Sequence, residues 1–338
     1  MEPFGLSLAM VGIFVGFGLL IGILFGFFGM GGSFLVTPAL LVLGYPAKVA
    51  VGSGLAFVFG TSIIGALRHR RHGQVDYKLA TIMTVAMTIG IKLGEHVITF
   101  LESTGVIDVV ISVAYVSLLA TVGLFTLHDA RTEDKKSTGR DISEKVQSIE
   151  IPPMVTLKGD IRISAVIIFT LGLAIGVLSG LLGVGGGFLL MPAMMYGFGV
   201  PAAIAVGTDI LQITISGAFG AFVYAQAGAV NLPVVGSLLA GSALGARIGA
   251  GATKLVDEDG IKGYFAAMLL AGSVAVAAKN LAAPLGMGWL QTLSIALIFG
   301  AAILVSGAVV LSAICQLRSE GAGVWCTLTS SGDGSTGH

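Results

Sequence analysis

Residues 22–39 read GILFGFFGMGGSFLVTPA, and residues 176–193 read GVLSGLLGVGGGFLLMPA. Both stretches place closely spaced glycines inside an apolar segment and then continue with Phe-Leu-x-x-Pro. The offset between the two copies is 154 residues here and 155 further along the chain. At the second offset these pairs match: Pro46 and Pro201, Gly52 and Gly207, Gly65 and Gly220, Gly73 and Gly228, Gly90 and Gly245, Gly94 and Gly249. The chain is therefore an internal duplication.

The composition is that of an integral membrane protein. Hydrophobic residues make up 55% of the chain and charged residues only 11%, whereas soluble domains carry about 25% charge. The sequence predicts an all-α fold with nine long spans, near 6–28, 47–67, 77–100, 105–128, 161–182, 202–226, 230–251, 263–283 and 289–316. Two apolar pieces after the glycine clusters, 31–43 and 186–198, are only about 20 Å long as helices and are too short to span alone.

Four segments follow from this pattern. Residues 1–128 form a first transmembrane repeat, 129–160 a polar linker, 161–316 a second repeat and 317–338 a disordered tail. The net charge is zero, so no nucleic-acid partner is expected. Cys315 and Cys326 lack metal-site spacing, and we expect neither a metal nor a cofactor. No nucleotide-binding loop or nucleophile motif is present, so the sequence predicts a non-enzyme in the lipid bilayer.

The loops of the two halves differ in charge. Residues 68–72 read RHRRH, while the matching residues 223–227 read VYAQA. The next loop reverses the bias, because 101–104 carry no Lys or Arg and the counterpart region carries Lys254 and Lys262. Short cytoplasmic loops collect basic residues, so equivalent loops lie on opposite sides and the repeats are inverted. This predicts a multi-pass cell-membrane protein with its N-terminus outside and its linker and C-terminus cytoplasmic. A parallel repeat remains the alternative.

The glycine clusters are the first candidate site. A helix that restarts after a glycine break presents free N–H groups and a partial positive charge, which together bind anions. Glycine also lets a ligand approach the backbone. We therefore predict that substrate contacts Gly31, Gly32 and Ser33 in the first half and Gly185, Gly186 and Gly187 in the second. The alternative is that these glycines only allow close helix packing.

Polar residues just inside the following helices are the second candidate site. The first half reads AVGSGLAF and the second AVGTDILQ, which makes Ser53 and Thr208 equivalent hydroxyls. Asp209 and Gln212 occur in the second half only. We predict that Ser53, Thr208 and Gln212 bind substrate and that Asp209 binds a coupling proton or cation, because a carboxylate within a span is usually functional. The alternatives are that the hydroxyls bond their own helix and that Asp209 lies at the membrane interface.

A pair of cations is the third and weakest candidate. Lys92 and Arg247 both stand between two glycines, in GIKLG and GARIG. A basic residue inside a span is costly, so the pair suggests neutralisation of an anion in transit. Each side chain could instead extend to the headgroups. Glu95 and His96 follow one turn after Lys92 and are further coupling candidates, although they could simply pair with it.

The duplicated element G-x-G-G-x-F-L-x-x-P, followed by AVGS in one half and AVGT in the other, resembles the sulfite exporter TauE/SafE family. The resemblance covers about residues 6–316. It implies a secondary transporter of small sulfur-containing anions such as sulfite or organosulfonates. Thiosulfate-importing relatives use cysteines in their pathway, and this chain has none at matching interior positions.

Glycine-interrupted segments at corresponding places in two halves indicate a binding site at the repeat interface of a transporter. The sequence therefore predicts a secondary transporter, and more specifically an exporter, of a small anionic sulfur compound by alternating access. A cation or metal-ion carrier using Asp209 and a passive anion channel remain alternatives. The sequence does not indicate the oligomeric state.

Overall fold

The computed structural model describes residues 7–28, 33–69, 75–131, 143–149, 151–159, 161–252, 258–282, 284 and 286–330. Most of this part of the chain is helical. Eight of its helices are long and apolar enough to cross a membrane, and the apolar stretches Ala47–Ile63 and Gly187–Gly197 are shorter. The chain is therefore an all-α integral membrane protein, which confirms the fold class predicted from composition.

Eleven named helices follow the two halves of the sequence. The first half contains α1 (Leu8–Phe28), α2 (Ser33–Val42), α3 (Ala47–His69), α4 (Tyr77–Thr104) and α5 (Ile107–Arg131). The second half contains α6 (Ala165–Leu182), α7 (Gly187–Pro192), α8 (Ala202–Gln226), α9 (Leu232–Ala252) and α10 (Glu258–Ala282), and α11 (Gly288–Ser330) follows. A π-helical turn, Ala193–Gly197, extends α7. Both predicted short pieces are thus short helices.

The region predicted as a linker contains more structure than its polarity suggests. Helix α5 continues to Arg131, and residues 143–147 are helical. Strands β1 (Met154–Thr156) and β2 (Arg162–Ser164) then pair antiparallel, with Val155 opposite Ile163. The sequence pattern does not predict this hairpin, because strands of three residues give too short an alternation to recognise.

The last helix also differs from the expectation. Helix α11 is continuous through Ser330, beyond residue 317, where the sequence analysis placed the start of a disordered tail. The stretch 317–330 contains no proline, the residue that most strongly ends a helix. The change to polar residues therefore marks where α11 stops being apolar, and the helix itself continues.

Glycine-rich seams join each half to the other. A Cβ added at Gly22 of α1 would lie 2.5 Å from the Ser242 carbonyl oxygen of α9, and one added at Gly90 of α4 would lie 2.5 Å from the Leu173 carbonyl oxygen of α6. Small residues permit this close backbone approach between helices in a membrane. Since α1 corresponds to α6 and α4 to α9, the two seams are the same contact made twice with the halves exchanged.

Two further contacts each join a helix to its counterpart in the other half. Helices α3 and α8 pack so that Gly52 faces Tyr224 and Leu55 faces Gly220. Residue numbers rise along one helix as they fall along the other, so the pair is antiparallel. The counterparts α5 and α10 are also antiparallel: Leu119 faces Gly272, and Gly123 faces Leu269.

The hairpin marks one end of the helix bundle, which we call the linker face. Leu157 and Ile163 share an apolar cluster with Phe198 and Val200, the residues between α7 and α8. The Gln147 amide also donates to the Phe198 carbonyl at 3.1 Å. Since α6 starts directly after β2, the pair α6 and α7 enters the bundle from the linker face and returns to it.

The opposite end of the bundle holds the starts of α3 and α5 and the end of α4. Lys48 Nζ and Glu102 Oε2 are 2.6 Å apart there, and the Ala47 N–H donates to Asp108 Oδ1 at 3.3 Å. Helices α3 and α4 therefore run between the two ends, and α6 and α7 meet in a turn between them.

Candidate functional site

The break between α6 and α7 is a turn built from glycines. Helix α6 ends at Leu182 and α7 begins at Gly187. Between them, Gly183, Gly185 and Gly186 have φ values of 71°, 65° and 81°. Other residues adopt this left-handed region only at a cost, whereas glycine does so freely. The backbone path of this turn therefore requires the glycines.

The turn lies midway between the two ends of the bundle. A Cβ added at Gly185 would lie 2.6 Å from Val58 Cγ1, and one added at Gly186 would lie 2.5 Å from Met87 Cε. Val58 is near the middle of α3, and Met87 is in the central part of α4. Irregular backbone at such a depth is tolerated where protein buries it or a wet cavity adjoins it.

The last carbonyls of α6 are satisfied by groups from three places. Within the turn, the Gly183 N–H donates to the Ser179 carbonyl at 2.7 Å. The Tyr224 hydroxyl of α8 donates to the Gly180 carbonyl at 2.6 Å, and the Tyr115 hydroxyl of α5 donates to the Leu182 carbonyl. These bonds supply donors for carbonyls that a helix end leaves without intrahelical partners, and they hold the break in place.

The start of α7 points its free donors toward the turn. Its first intrahelical bonds are those from the Leu189 and Leu190 N–H groups to the Gly186 carbonyl, at 3.0 and 2.9 Å. The preceding N–H groups, on Gly187 and Phe188, have no acceptor within the helix, as in any first turn. Both residues are buried. An anion placed here would meet two N–H donors and the positive end of a helix.

Asp209 lies directly beside this helix start. Its side chain is buried, with 1% of the residue exposed. Oδ2 lies 2.9 Å from the position that a Cβ on Gly187 would occupy, so the absence of a side chain at Gly187 makes room for the carboxyl group. Neither carboxyl oxygen has a hydrogen-bond partner among the described residues. An unpaired ionised carboxylate at such a position is costly.

Gln212 lies one turn further along α8 on the same face as Asp209. Its amide nitrogen donates to Ser216 Oγ at 2.9 Å and contacts Met87 Sδ at 2.6 Å. Its Oε1 is buried and, like the Asp209 oxygens, has no partner in the described part of the chain. Three acceptor oxygens without a donor therefore lie on one face of α8.

Ser53 and Thr208 make equivalent hydrogen bonds between the halves. The Asp76 N–H donates to Thr208 Oγ1 at 3.0 Å, and the Asn231 N–H donates to Ser53 Oγ at 3.0 Å. Asp76 and Asn231 are themselves 155 positions apart, at the starts of α4 and α9. The two predicted hydroxyls thus anchor the helix that begins in the other half, and this role is structural whether or not they also touch a ligand.

The first half offers a different environment at the same place. Gly31 and Gly32 lie outside the described residues, and Ser33 is the first residue of α2. The counterpart of Asp209 is Gly54, where an added Cβ would lie 2.7 Å from the Gly183 carbonyl oxygen. Because the second-half turn fills this position, a carboxyl side chain fits only in the second half.

The structure does not bring the predicted cations to the turn. Lys92, His96 and Arg247 are exposed on the bundle. Lys92 Nζ lies 2.9 Å from Glu95 Oε2, and His96 Nδ1 contacts the Lys92 carbonyl oxygen at 2.9 Å. This geometry matches the alternative in which Glu95 simply pairs with Lys92.

Four residues that position the turn and its neighbours are not among those predicted from the sequence. Asp76 and Asn231 carry a recognisable signal, because Asp and Asn immediately before an apolar helix are typical N-caps. The Asp76 carboxylate accepts from the Lys78 and Leu79 N–H groups at 3.0 Å. Tyr115 and Tyr224 carry no such signal, since their partners are 67 and 44 positions away.

Comparison with known proteins places the chain among membrane transporters. It is 27% identical over 237 residues to a probable membrane transporter protein of Xylella fastidiosa, covering 70% of this chain and 82% of the relative. It is 26% identical over 246 residues to the probable membrane transporter protein YunE of Bacillus subtilis, covering 70% and 86%. No solved structure matches the chain. The family model described as sulfite exporter TauE/SafE matches residues 14–276, and the chain therefore belongs to this family of membrane transporters.

Proposed function

We propose that this membrane transporter carries small sulfur-containing anions, sulfite or organosulfonates, as a secondary transporter and most simply as an exporter. The family description supports sulfur chemistry, and the start of α7 beside a glycine turn supports an anion. The observation that carries the proposal is the buried pair of first-turn N–H groups at Gly187 and Phe188, midway between the ends of the bundle. The substrate would bind there.

The packing of the helices supports inverted repeats. Helices α3 and α8, and likewise α5 and α10, run antiparallel to their own counterparts. Such an arrangement fits a pseudo-two-fold axis in the membrane plane, the arrangement found in many secondary transporters. The seams between α1 and α9 and between α4 and α6 would then allow one half to rock against the other. Alternating access to the turn follows from this motion.

Purified protein in liposomes tests the transport proposal. Vesicles preloaded with unlabelled sulfite or a short alkanesulfonate are expected to accumulate labelled substrate transiently, since a carrier exchanges bound substrate across the membrane. Thr208→Val is expected to weaken binding in the folded protein, with Thr208→Ser as the matched control that keeps the hydroxyl. Linear, non-saturating flux without exchange would instead indicate a passive channel and would contradict the proposal.

We further propose that the linker face is cytoplasmic and that the N-terminus is outside. This follows from the basic run at residues 68–72 of the sequence, which begins with Arg68 and His69, the last residues of α3, because this end of α3 adjoins the linker face. Cysteine placed at Lys158, in the hairpin, in a variant without Cys315 and Cys326 tests the orientation. An impermeant maleimide is expected to label it only after the cells are permeabilised. Labelling of intact cells would reverse the orientation.

A cation carrier is the second candidate, and the three unpartnered acceptor oxygens of Asp209 and Gln212 favour it. Competition for labelled sulfite transport distinguishes the anion carrier from the cation carrier. Excess sulfonate is expected to block labelled sulfite transport, while divalent cations are expected to have no effect at constant ionic strength. Inhibition by divalent cations together with direct cation uptake would support the carrier of cations instead.

A further inference from the structure

Among the acidic residues that the structure describes, Asp209 alone has a side chain that is both buried and without a hydrogen-bond partner. Asp76 is also buried, but its carboxylate accepts from the Lys78 and Leu79 N–H groups and, at 2.6 Å, from the Lys158 N–H. Glu95 pairs with Lys92. The carboxyl group of Asp209 therefore needs a ligand that the described residues do not supply.

A single proton satisfies this group better than a metal ion does. A protonated carboxyl group becomes a donor as well as an acceptor, and the Gln212 Oε1, one turn away, is a buried acceptor without a partner. Calcium and magnesium take six or more oxygen ligands, whereas Asp209 and Gln212 together offer the three unpartnered oxygens described above.

The described charged side chains on the helices around α8 lie away from Asp209, so its protonation depends on its burial. Helices α3, α4 and α7 pack against α8, and their described titratable side chains lie elsewhere. Lys48 is paired at the opposite end with Glu102. Lys78 reaches the Thr156 carbonyl at the linker face, and Tyr196 lies in the π-helical turn after α7. Lys92 and His96 are exposed on α4, Glu95 is largely buried but pairs with Lys92, and Tyr224, on α8 itself, donates to the Gly180 carbonyl.

The position of Asp209 links its proton to the anion. Its Oδ2 adjoins Gly187, at the helix start where the proposed substrate binds. An ionised carboxylate there would repel the anion in an environment with little water to screen the charges. When the turn opens to one side, water can solvate the carboxylate and let it ionise. Closing around the anion then requires that a proton be bound.

We infer that Asp209 takes up one proton with each anion and releases it on the opposite side, which makes the protein a proton–anion symporter. This rests on the proposed function. The proton moves from water to a carboxylate oxygen of Asp209 on closure and returns to water on opening, and no other bond changes. A monoanion would therefore cross without net charge, and export would occur when the outward anion gradient exceeds the inward proton gradient.

Calorimetry of methanesulfonate binding to the purified full-length protein tests the inference. Titrations near neutral pH in buffers of different ionisation enthalpy measure proton uptake, which is expected to approach one per anion. At pH values where Asp209 is ionised in the open state, the affinity for methanesulfonate is expected to fall tenfold for each unit by which the pH rises. Asp209→Asn, whose amide mimics the protonated acid, is expected to bind without proton uptake, and Glu95→Gln is expected to keep the wild-type slope.

Three outcomes would overturn the inference: no proton uptake by the wild type, equal uptake by Asp209→Asn, or dependence on sodium in place of the pH slope. If Asp209→Asn fails to fold, the wild-type proton uptake and its sodium independence still decide the question. An infrared titration separates the two proposals. A protonated carboxylic acid band at neutral pH, with no binding of any sulfur anion, refutes the transport proposal and the coupling while leaving the proton site in place.

Discussion

Replacing Thr208 with valine removes one of the two equivalent hydroxyls, on Ser53 and Thr208, that accept a hydrogen bond from the other half. Thr208 Oγ1 accepts from the Asp76 N–H at 3.0 Å, and both residues are buried. Valine has nearly the same shape, so the change leaves the Asp76 N–H without an acceptor and without access to water. An unsatisfied buried donor costs about 1–3 kcal/mol. We expect the free energy of unfolding to fall by about this amount.

Two control variants separate the lost hydrogen bond from other effects. Thr208→Ser keeps the oxygen and loses one methyl group, which costs about 0.8 kcal/mol. Ser53→Ala breaks the equivalent bond to Asn231, which is only partly buried, so water can replace the hydroxyl and we expect a loss of about 0.5–1.5 kcal/mol. Reversible unfolding in mixed detergent micelles measures all three. A Thr208→Val protein as stable as Thr208→Ser would show that the bond from the Asp76 N–H contributes nothing to stability.

Other variants test the seam, the turn and the hairpin. Gly22→Ala is expected to destabilise the protein by about 1–3 kcal/mol, because its Cβ would meet the Ser242 carbonyl. Gly12→Ala is the control in the same unfolding assay, since a Cβ there has nothing within 4 Å. Equal stabilities of the two variants would contradict this prediction. Gly186→Ala should cost about 1–2 kcal/mol at its positive φ and weaken anion binding, and unchanged affinity would count against the turn. Asp76→Asn keeps the helix cap but loses the Lys158 bond, so proteolysis of the hairpin should accelerate; an unchanged cleavage rate would argue against that contact.

The duplication, the helices and their breaks were predictable because their signals are local. Apolar length and closely spaced glycines depend on neighbouring residues alone, and α8 begins and ends where the sequence predicts. The hydrogen bonds of Ser53 and Thr208 were not predictable, since their partners lie 178 and 132 positions away. Nothing in the local sequence indicates which backbone N–H a buried hydroxyl will meet.

The orientation of Lys92 could have been derived from the sequence. Gly90 and Gly94 are four positions apart and so share the helix face that packs on α6. A residue two positions from each is rotated by about 200° and points away from that face. The same argument applies to Arg247 between Gly245 and Gly249. The glycines that drew attention to both cations therefore also indicate that they face outward.

The depth and isolation of Asp209 were only partly predictable. The sequence places it seven residues after Ala202, which fits either an interfacial or a buried carboxyl group. Its burial depends on α7, which folds back into the bundle and places Gly187 against it. A re-entrant path is a tertiary feature, and the sequence shows only that the segment is too short to span.

A structure with a bound sulfonate would show whether the start of α7 is the anion site. Crystals of the protein with a bromoalkanesulfonate would place the ligand by its anomalous scattering. We expect the sulfonate oxygens to lie within hydrogen-bond distance of the Gly187 and Phe188 N–H groups, beside Asp209. A sulfonate bound elsewhere, with this helix start still closed and dry, would contradict it.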